Sequence, residues 1–277
     1  PAGLCRRPRP VQPHLTTRVY TGEMDGLRGY DSGAVVTAPT REGPLRLELG
    51  PRHVRLELAD RTLHVADRYL TLTTRSGRRE KRDAHRLAGP LWLARDVPHD
   101  DLGLWEQVEP GSVRRVFGVE PRSLIEPDGL DALRALDQLA TRLRLALQPL
   151  AGDVLRAVEI GRGLDKVLLI DRGDRYELFM RRLFRDRARF ILEVRRDGTV
   201  VLPEGGGRRT LECRSRFGVT VLGDYVRFSD PTGLDLGRVA VPWICRQDRD
   251  ELVRRIGNFI DHGGLHPADV RVAGGRL

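Results

Sequence analysis

The sequence predicts an α+β protein, mainly antiparallel β, built as two sheet-plus-helix units, the second a small barrel closed by a C-terminal helix. Three observations predict it. Apolar and charged residues alternate with period two from residue 44. Apolar residues recur at three- and four-residue intervals over 130–147. The second half strings short apolar runs between turn residues before another amphipathic segment. The corresponding division is an extended arm at 1–40, a β-rich unit ending in a helix at 41–160, and a barrel unit at 161–277.

Residues 1–40 are rich in proline and glycine, and one short strand is expected near Val35. Gly22, Gly26, Gly29 and Gly33 are regularly spaced, yet no GK[ST] follows them, so they read as an arm and not as a phosphate loop. Leu45, Leu47 and Leu49 then alternate with Arg46 and Glu48, and Val54, Leu56 and Leu58 with Arg55 and Glu57, the signature of half-buried strands. Leu63, Val65, Leu70 and Leu72 continue the meander to Ser76-Gly77. RSGRREKRDAHR at 75–86 reads as a polar basic loop, and 90–127 as an irregular segment. Asp128 is placed to cap a helix whose stripe is Leu130, Leu133, Leu136, Ala140, Leu143 and Leu147, with Arg134, Asp137, Gln138, Arg142 and Arg144 facing water. Pro149 ends or kinks it, and AGDVLRAVEI extends it by up to two turns.

In the second half KVLLID, RYELFM, ARFILEV, TVVLP, RTLECR, FGVTVLG, YVRFSD and LGRVAVPWI read as strands. Asp197-Gly198 is the strongest hairpin signal, because a tight primed turn needs a positive φ that glycine adopts without strain. RQDRDELVRRIGNFID then places Leu252, Ile256, Phe259 and Ile260 on one helical face, with Arg249, Asp250, Arg254 and Arg255 turned away, and His262-Gly263-Gly264 ends it. About seven short strands closed by one helix over 164–262 resembles a pleckstrin-homology-like barrel in its order of elements.

Composition bounds the function classes. The 277-residue chain carries 48 basic and 39 acidic residues, a net charge of +9, which points to an acidic partner. Lys81 and Lys166 are its only lysines, a bias that suits a GC-rich coding sequence as well as a binding surface. Cys5, Cys213 and Cys245 lie far apart without CxxC spacing, which fits neither a disulfide framework nor a zinc site and suits a reducing cytoplasm. No apolar run approaches the roughly 20 residues of a spanning helix, and the N-terminus lacks the apolar centre of a secretory signal.

The candidate site is a basic surface. In the strand around 190, Ala188, Phe190, Leu192 and Val194 are assigned to one face, and Arg187, Arg189 and Arg195 to the other with Glu193 and Ile191. In the preceding strand Phe179 and Arg181 should face outward beside that row. Arginine forks donate paired bonds to oxyanions, and an exposed Phe179 would stack on a base. With Arg78, Arg79, Lys81 and Arg82 of the 75–82 loop, these residues form the expected anion-binding set. The expected function is a non-catalytic binding or scaffold protein for an acidic protein or anionic surface; nucleic acid is the alternative partner. A plain solvated face competes with both. A second layer or an oligomer contact would also cover Phe179 and Ile191.

No cofactor, metal or catalytic set is expected. GxSxG, HExxH and CxxC are missing from the sequence. His99-Asp100-Asp101 follows a proline in a loop and reads as a cap or turn. His262 and His266 are separated by Gly263-Gly264, which breaks the helix that would align them. Asp165-Lys166 at a strand entrance reads as a solvated pair.

Overall fold

The alternation that begins at residue 44 builds a six-stranded antiparallel meander: β1 (Ala34–Thr40), β2 (Gly43–Gly50), β3 (His53–Leu58), β4 (Arg61–Ala66), β5 (Tyr69–Ser76) and β6 (Arg79–Arg86). The computed structural model describes residues 34–97, 101–161, 166–182, 185–197, 199–204, 207–212, 218–229, 232–241 and 245–262. Leu45, Leu47, Leu56, Leu58 and Leu63 point to one side and are fully buried. Each contributes about 1.5–3 kcal/mol by leaving water. The segment 75–86 is a strand hairpin, not a loop. Its residues 75–84 are exposed, so the strand β6 has no apolar face to announce it.

The segment 90–127 is likewise not irregular; it holds β7 (Leu91–Val97), β8 (Leu102–Glu109) and β9 (Ser112–Val119). After α1 (Gly129–Leu147) the chain makes a short 3-10 turn at 148–150 and then a strand, β10 (Arg156–Ile160), where two more helical turns were expected. β10 lies parallel to β7, with Glu159 beside Asp96. Next come β11 (Lys166–Asp171), β12 (Arg175–Arg181) and β13 (Arg187–Arg195), and β13 pairs with both β12 and β9. Strands β7 to β13 therefore close into a seven-stranded barrel.

This closure begins at Leu91, not at residue 164. The boundary at 160/161 passes between β10 and β11, which are hydrogen-bonded neighbours. Strands β14 (Thr199–Glu204) and β15 (Gly207–Glu212) extend from β13 outside the closed circuit. The register of β13 with β14 ends at Val194↔Val200, so the reversal is wider than a two-residue turn. Gly198 itself lies outside the described residues. A separate three-stranded sheet of β16 (Gly218–Leu222), β17 (Tyr225–Ser229) and β18 (Asp235–Ala240) precedes α2 (Arg246–His262).

Three cores result. Trp92, Trp105, Val113, Leu168, Ile170, Phe179 and Ala188 fill the barrel. Gly103 and Gly118 are register partners in its wall; the bareness of Gly103 makes room for the Trp105 indole, and that of Gly118 for the Arg115 guanidinium. A Cβ on Gly103 would sit 2.8 Å from Trp105 Nε1, and one on Gly118 would sit 2.8 Å from Arg115 Cζ. Outside β7–β9, Leu91, Leu93, Leu104 and Phe117 pack against the six-stranded sheet and α1. The buried stripe of α1 runs through Ala132, Leu136, Leu139, Ala140, Leu143 and Leu147; Leu130, expected inside, is 52% exposed. Asp128 precedes α1 but makes no side-chain cap; it binds Arg122 instead. Outside β10–β13, Tyr176, Leu178, Leu192 and Val194 pack with Val226, Phe228 and the Leu252, Ile256 and Phe259 face of α2. Arg255, expected in water, is buried and hydrogen-bonds Glu251.

Candidate functional site

The arginine row read from the strand at 187–195 does not exist as a row. The pairing of β12 with β13 shifts between Leu178 and Phe179, which pair with Leu192 and Phe190 and leave Ile191 as an extra residue. Such a bulge reverses which side of the sheet alternate residues face. Ala188 thus joins the barrel interior, with Phe190 packed against it, while Leu192 and Val194 lie outside under α2. Phe179, expected on the surface, is 1% exposed and stacks edge-on with Phe190 inside the barrel. It cannot stack on a base. On β12 the face that alternation marks as wet is the inside of a closed tube whose ends are polar.

The four strand arginines separate accordingly. At one end of the barrel Arg181 donates through Nε and Nη2 to Glu159 Oε1 at 2.9 and 2.7 Å. At the other end Arg195 donates to the buried Glu193 at 2.5 Å, beside the register pair Glu177↔Glu193 and the register pair Arg175↔Arg195. An open cavity of about 580 Å³ lies there, lined by Asp174, Arg175, Glu177, Glu193, Arg195 and their neighbours Arg196 and Asp197. Four carboxylates and three guanidiniums line it, so it offers no excess positive field. Arg187 and Arg189 are exposed on the outside of the barrel, whereas the exposed Arg195 is tied to Glu193 at its end.

The other half of the expected set is gathered on the β5–β6 hairpin. Gly77, with φ of 59°, and Arg78 form its two-residue reversal between Ser76 and Arg79. Only glycine takes that first turn position without strain. Arg78, Arg79, Lys81 and Arg82 are exposed, and among the described residues none of them forms an ion pair. Arg75 of β5, paired to Glu80 at 3.2 Å, and Arg86 of β6 belong to the same basic segment. Residues 75–86 hold six basic and two acidic residues, a net charge of +4.

The root of the hairpin is fixed by a polar cluster that sequence reading missed. His85 on β6 lies 2.9 Å from Oε2 of Glu106 on β8, and Arg114 on β9 lies 2.7 Å from the same oxygen and 2.6 Å from His85 Nε2. Glu106 is fully buried, so its two partners hold β6 against the barrel. Arg114 is also the register partner of Arg187, and Ser112 of Arg189. The exposed Arg187 and Arg189 of β13 thus lie in register with β9, whose Arg114 fixes the root of the hairpin.

A second charged constellation closes the barrel end that holds Arg181. Lys166, read from sequence as a partner of Asp165, binds Asp96 instead; Asp165 lies outside the described residues. Asp96 is 1% exposed. Burial pushes its carboxyl up to about 6, against the opposing pull of the Lys166 ammonium. The folded protein therefore holds this proton more tightly than the unfolded chain, whose carboxyl titrates near 3.8. Ionised Asp96 costs stability on the order of 3 kcal/mol above that window, and the cost fades as pH falls toward about 4. Urea titrations of wild type and Asp96→Asn across pH 4 to 7 should show the difference in their unfolding free energies changing steadily through the window. A pH-independent difference would show that Asp96 titrates like a free carboxyl.

Among the described residues no three histidine, cysteine or carboxylate side chains gather to hold a metal ion. His99 and Asp100, His266, Cys5, Cys213 and the arm glycines lie outside the described residues. Cys245 is exposed and its thiol donates to Asp248 at 3.0 Å. Among the described residues no helix is long and apolar enough to cross a membrane. No family model and no curated protein sequence matches the chain.

Proposed function

We propose that this chain is a non-catalytic binding or scaffold protein that engages an acidic protein partner through the β5–β6 hairpin and the adjoining Arg187 and Arg189. One observation carries the reading: an exposed two-stranded ribbon with a net charge of +4, held to the barrel by the His85–Glu106–Arg114 cluster. The fold is of pleckstrin-homology-like type in this reading, which a closed seven-stranded barrel with a C-terminal helix supports, although the barrel is drawn from 91–195. Nucleic acid is the second reading, favoured by the ribbon form, since a two-stranded β-ribbon fits a major groove.

The test is a charge reversal of Arg78, Arg79, Lys81 and Arg82 to glutamate, with polyglutamate as the acidic probe. Wild type should bind it and release it as salt rises; the variant should bind at least tenfold more weakly while its Tm moves by no more than about 2 °C, since exposed sites carry little stability. Equal binding by the two proteins would refute the assignment. Retardation of duplex DNA at low salt by wild type alone, with polyglutamate ignored, would transfer the surface to the second reading.

A further inference from the structure

We infer that β6 is an edge for strand addition, on which an extended acidic segment of the partner protein pairs as a seventh strand of the six-stranded sheet. The inference rests on the acidic-partner reading and adds the mode of contact. β6 is eight residues long and ends the sheet; among the described residues it pairs with β5 alone.

The phase of its backbone follows from the register. A two-residue reversal makes Ser76↔Arg79 a pair that exchanges hydrogen bonds, and alternate pairs after it, Thr74↔Lys81, Leu72↔Asp83 and Leu70↔His85, do the same. The Leu87 N–H donating to the Arg68 carbonyl at 2.7 Å continues that alternation. The N–H and C=O groups of Glu80, Arg82, Ala84 and Arg86 therefore point away from β5, along the free edge. From residue 80 to 86 they offer a ladder roughly 20 Å long to an incoming strand.

Charge selects the strand that can use it. An added strand alternates its side chains between the face bearing Arg79 and Lys81 and the face bearing Arg82 and Arg86. Carboxylates are favoured on both. The same charges repel basic strands, which is how an open edge avoids indiscriminate pairing. A phosphodiester backbone suits the edge less well: its oxygens only accept, so they leave the outward carbonyls unmatched.

The test uses the full chain, isotope-labelled for amide exchange, with two synthetic octapeptides of equal charge. One alternates glutamate with threonine or valine; the other has proline at every alternate position and cannot form a ladder. The alternating peptide should bind at least tenfold more tightly and slow exchange at Glu80, Arg82 and Ala84, while Lys81 and Asp83, already bonded to β5, change little. Ala84→Pro keeps the charge and the β5–β6 ladder, and should weaken binding at least tenfold; should that variant misfold, the exchange measurement on the unaltered chain decides. Equal binding of both peptides without slowed amides overturns strand addition and leaves the charge reading standing. Failure of both peptides to bind overturns the charge reading as well. Slowing of the same amides with protein concentration alone would make a second copy the occupant and overturn the acidic partner.

Discussion

Phe259→Ala should lower the unfolding free energy by about 3–5 kcal/mol, as expected for removal of a large buried aromatic that leaves a cavity. Phe259 is fully buried, and its ring stacks on Tyr176 with centroids 3.7 Å apart and planes 21° apart. Tyr176 belongs to the outer surface of β12, so this pair joins α2 to the barrel wall. The guanidinium of Arg196 sits 5.7 Å from the same ring and loses its aromatic support too. Val226 and Phe228 of the three-stranded sheet share the core, so the loss should loosen that sheet together with the helix. Urea unfolding should show a lower midpoint at an unchanged slope, and Phe259→Leu should recover much of the difference. A loss under about 1 kcal/mol would mean that α2 does not latch the barrel.

The stripe of α2 was legible because one face of a helix is covered and the other is wet. Leu252, Ile256 and Phe259 recur at the spacing that a single covered face requires. The strands β2 to β4 were legible for the same reason at period two. Two kinds of strand were not. Strands β7 to β9 are covered on both faces: Leu91 and Leu93 meet the outer sheet while Trp92 enters the barrel, so apolar residues no longer alternate with polar ones. Strand β6 is the opposite case, with six of its eight residues in the pattern exposed before His85 and no apolar face at all.

Phe179 shows the deeper limit. Glu177 and Arg181 flank it in sequence and make its face look wet, yet they sit at the two polar ends of a closed barrel with Phe179 in the apolar middle. Closure depends on β13 finding β9 and β10 finding β7, contacts between distant segments that no local period encodes. The bulge at Ile191 then exchanges the faces of one strand midway. Of the expected anion-binding set, the part in the hairpin was correctly read as polar and basic because exposure needs no knowledge of the partner strands. The part on β12 and β13 needed the topology.

Arg181→Ala separates these two classes of arginine and should be the costliest of the arginine-to-alanine changes, at about 3–5 kcal/mol. Its partner Glu159 is 1% exposed and stands beside Asp96 in the register of β10 with β7. Without the guanidinium, two adjacent carboxylates would share Lys166 as their nearest cation, in a site too buried for water to screen them. Asp96, whose carboxyl burial already pushes up to about 6, would then face an unpaired carboxylate, so the loss should be largest at neutral pH and shrink on acidification. Arg181→Glu would add a third carboxylate and should be worse. Arg187→Ala and Arg189→Ala, on the exposed outside of the barrel, should change stability by no more than about 0.5 kcal/mol. The double variant Glu159→Gln/Arg181→Met should recover most of the single-variant loss, because removing both charges leaves no ion to desolvate. Chemical denaturation at pH 7 and pH 5 reads all of these at once. A small, pH-independent loss for Arg181→Ala would place that arginine back on the surface with Arg187, and with it the whole inside of the barrel would have to be redrawn.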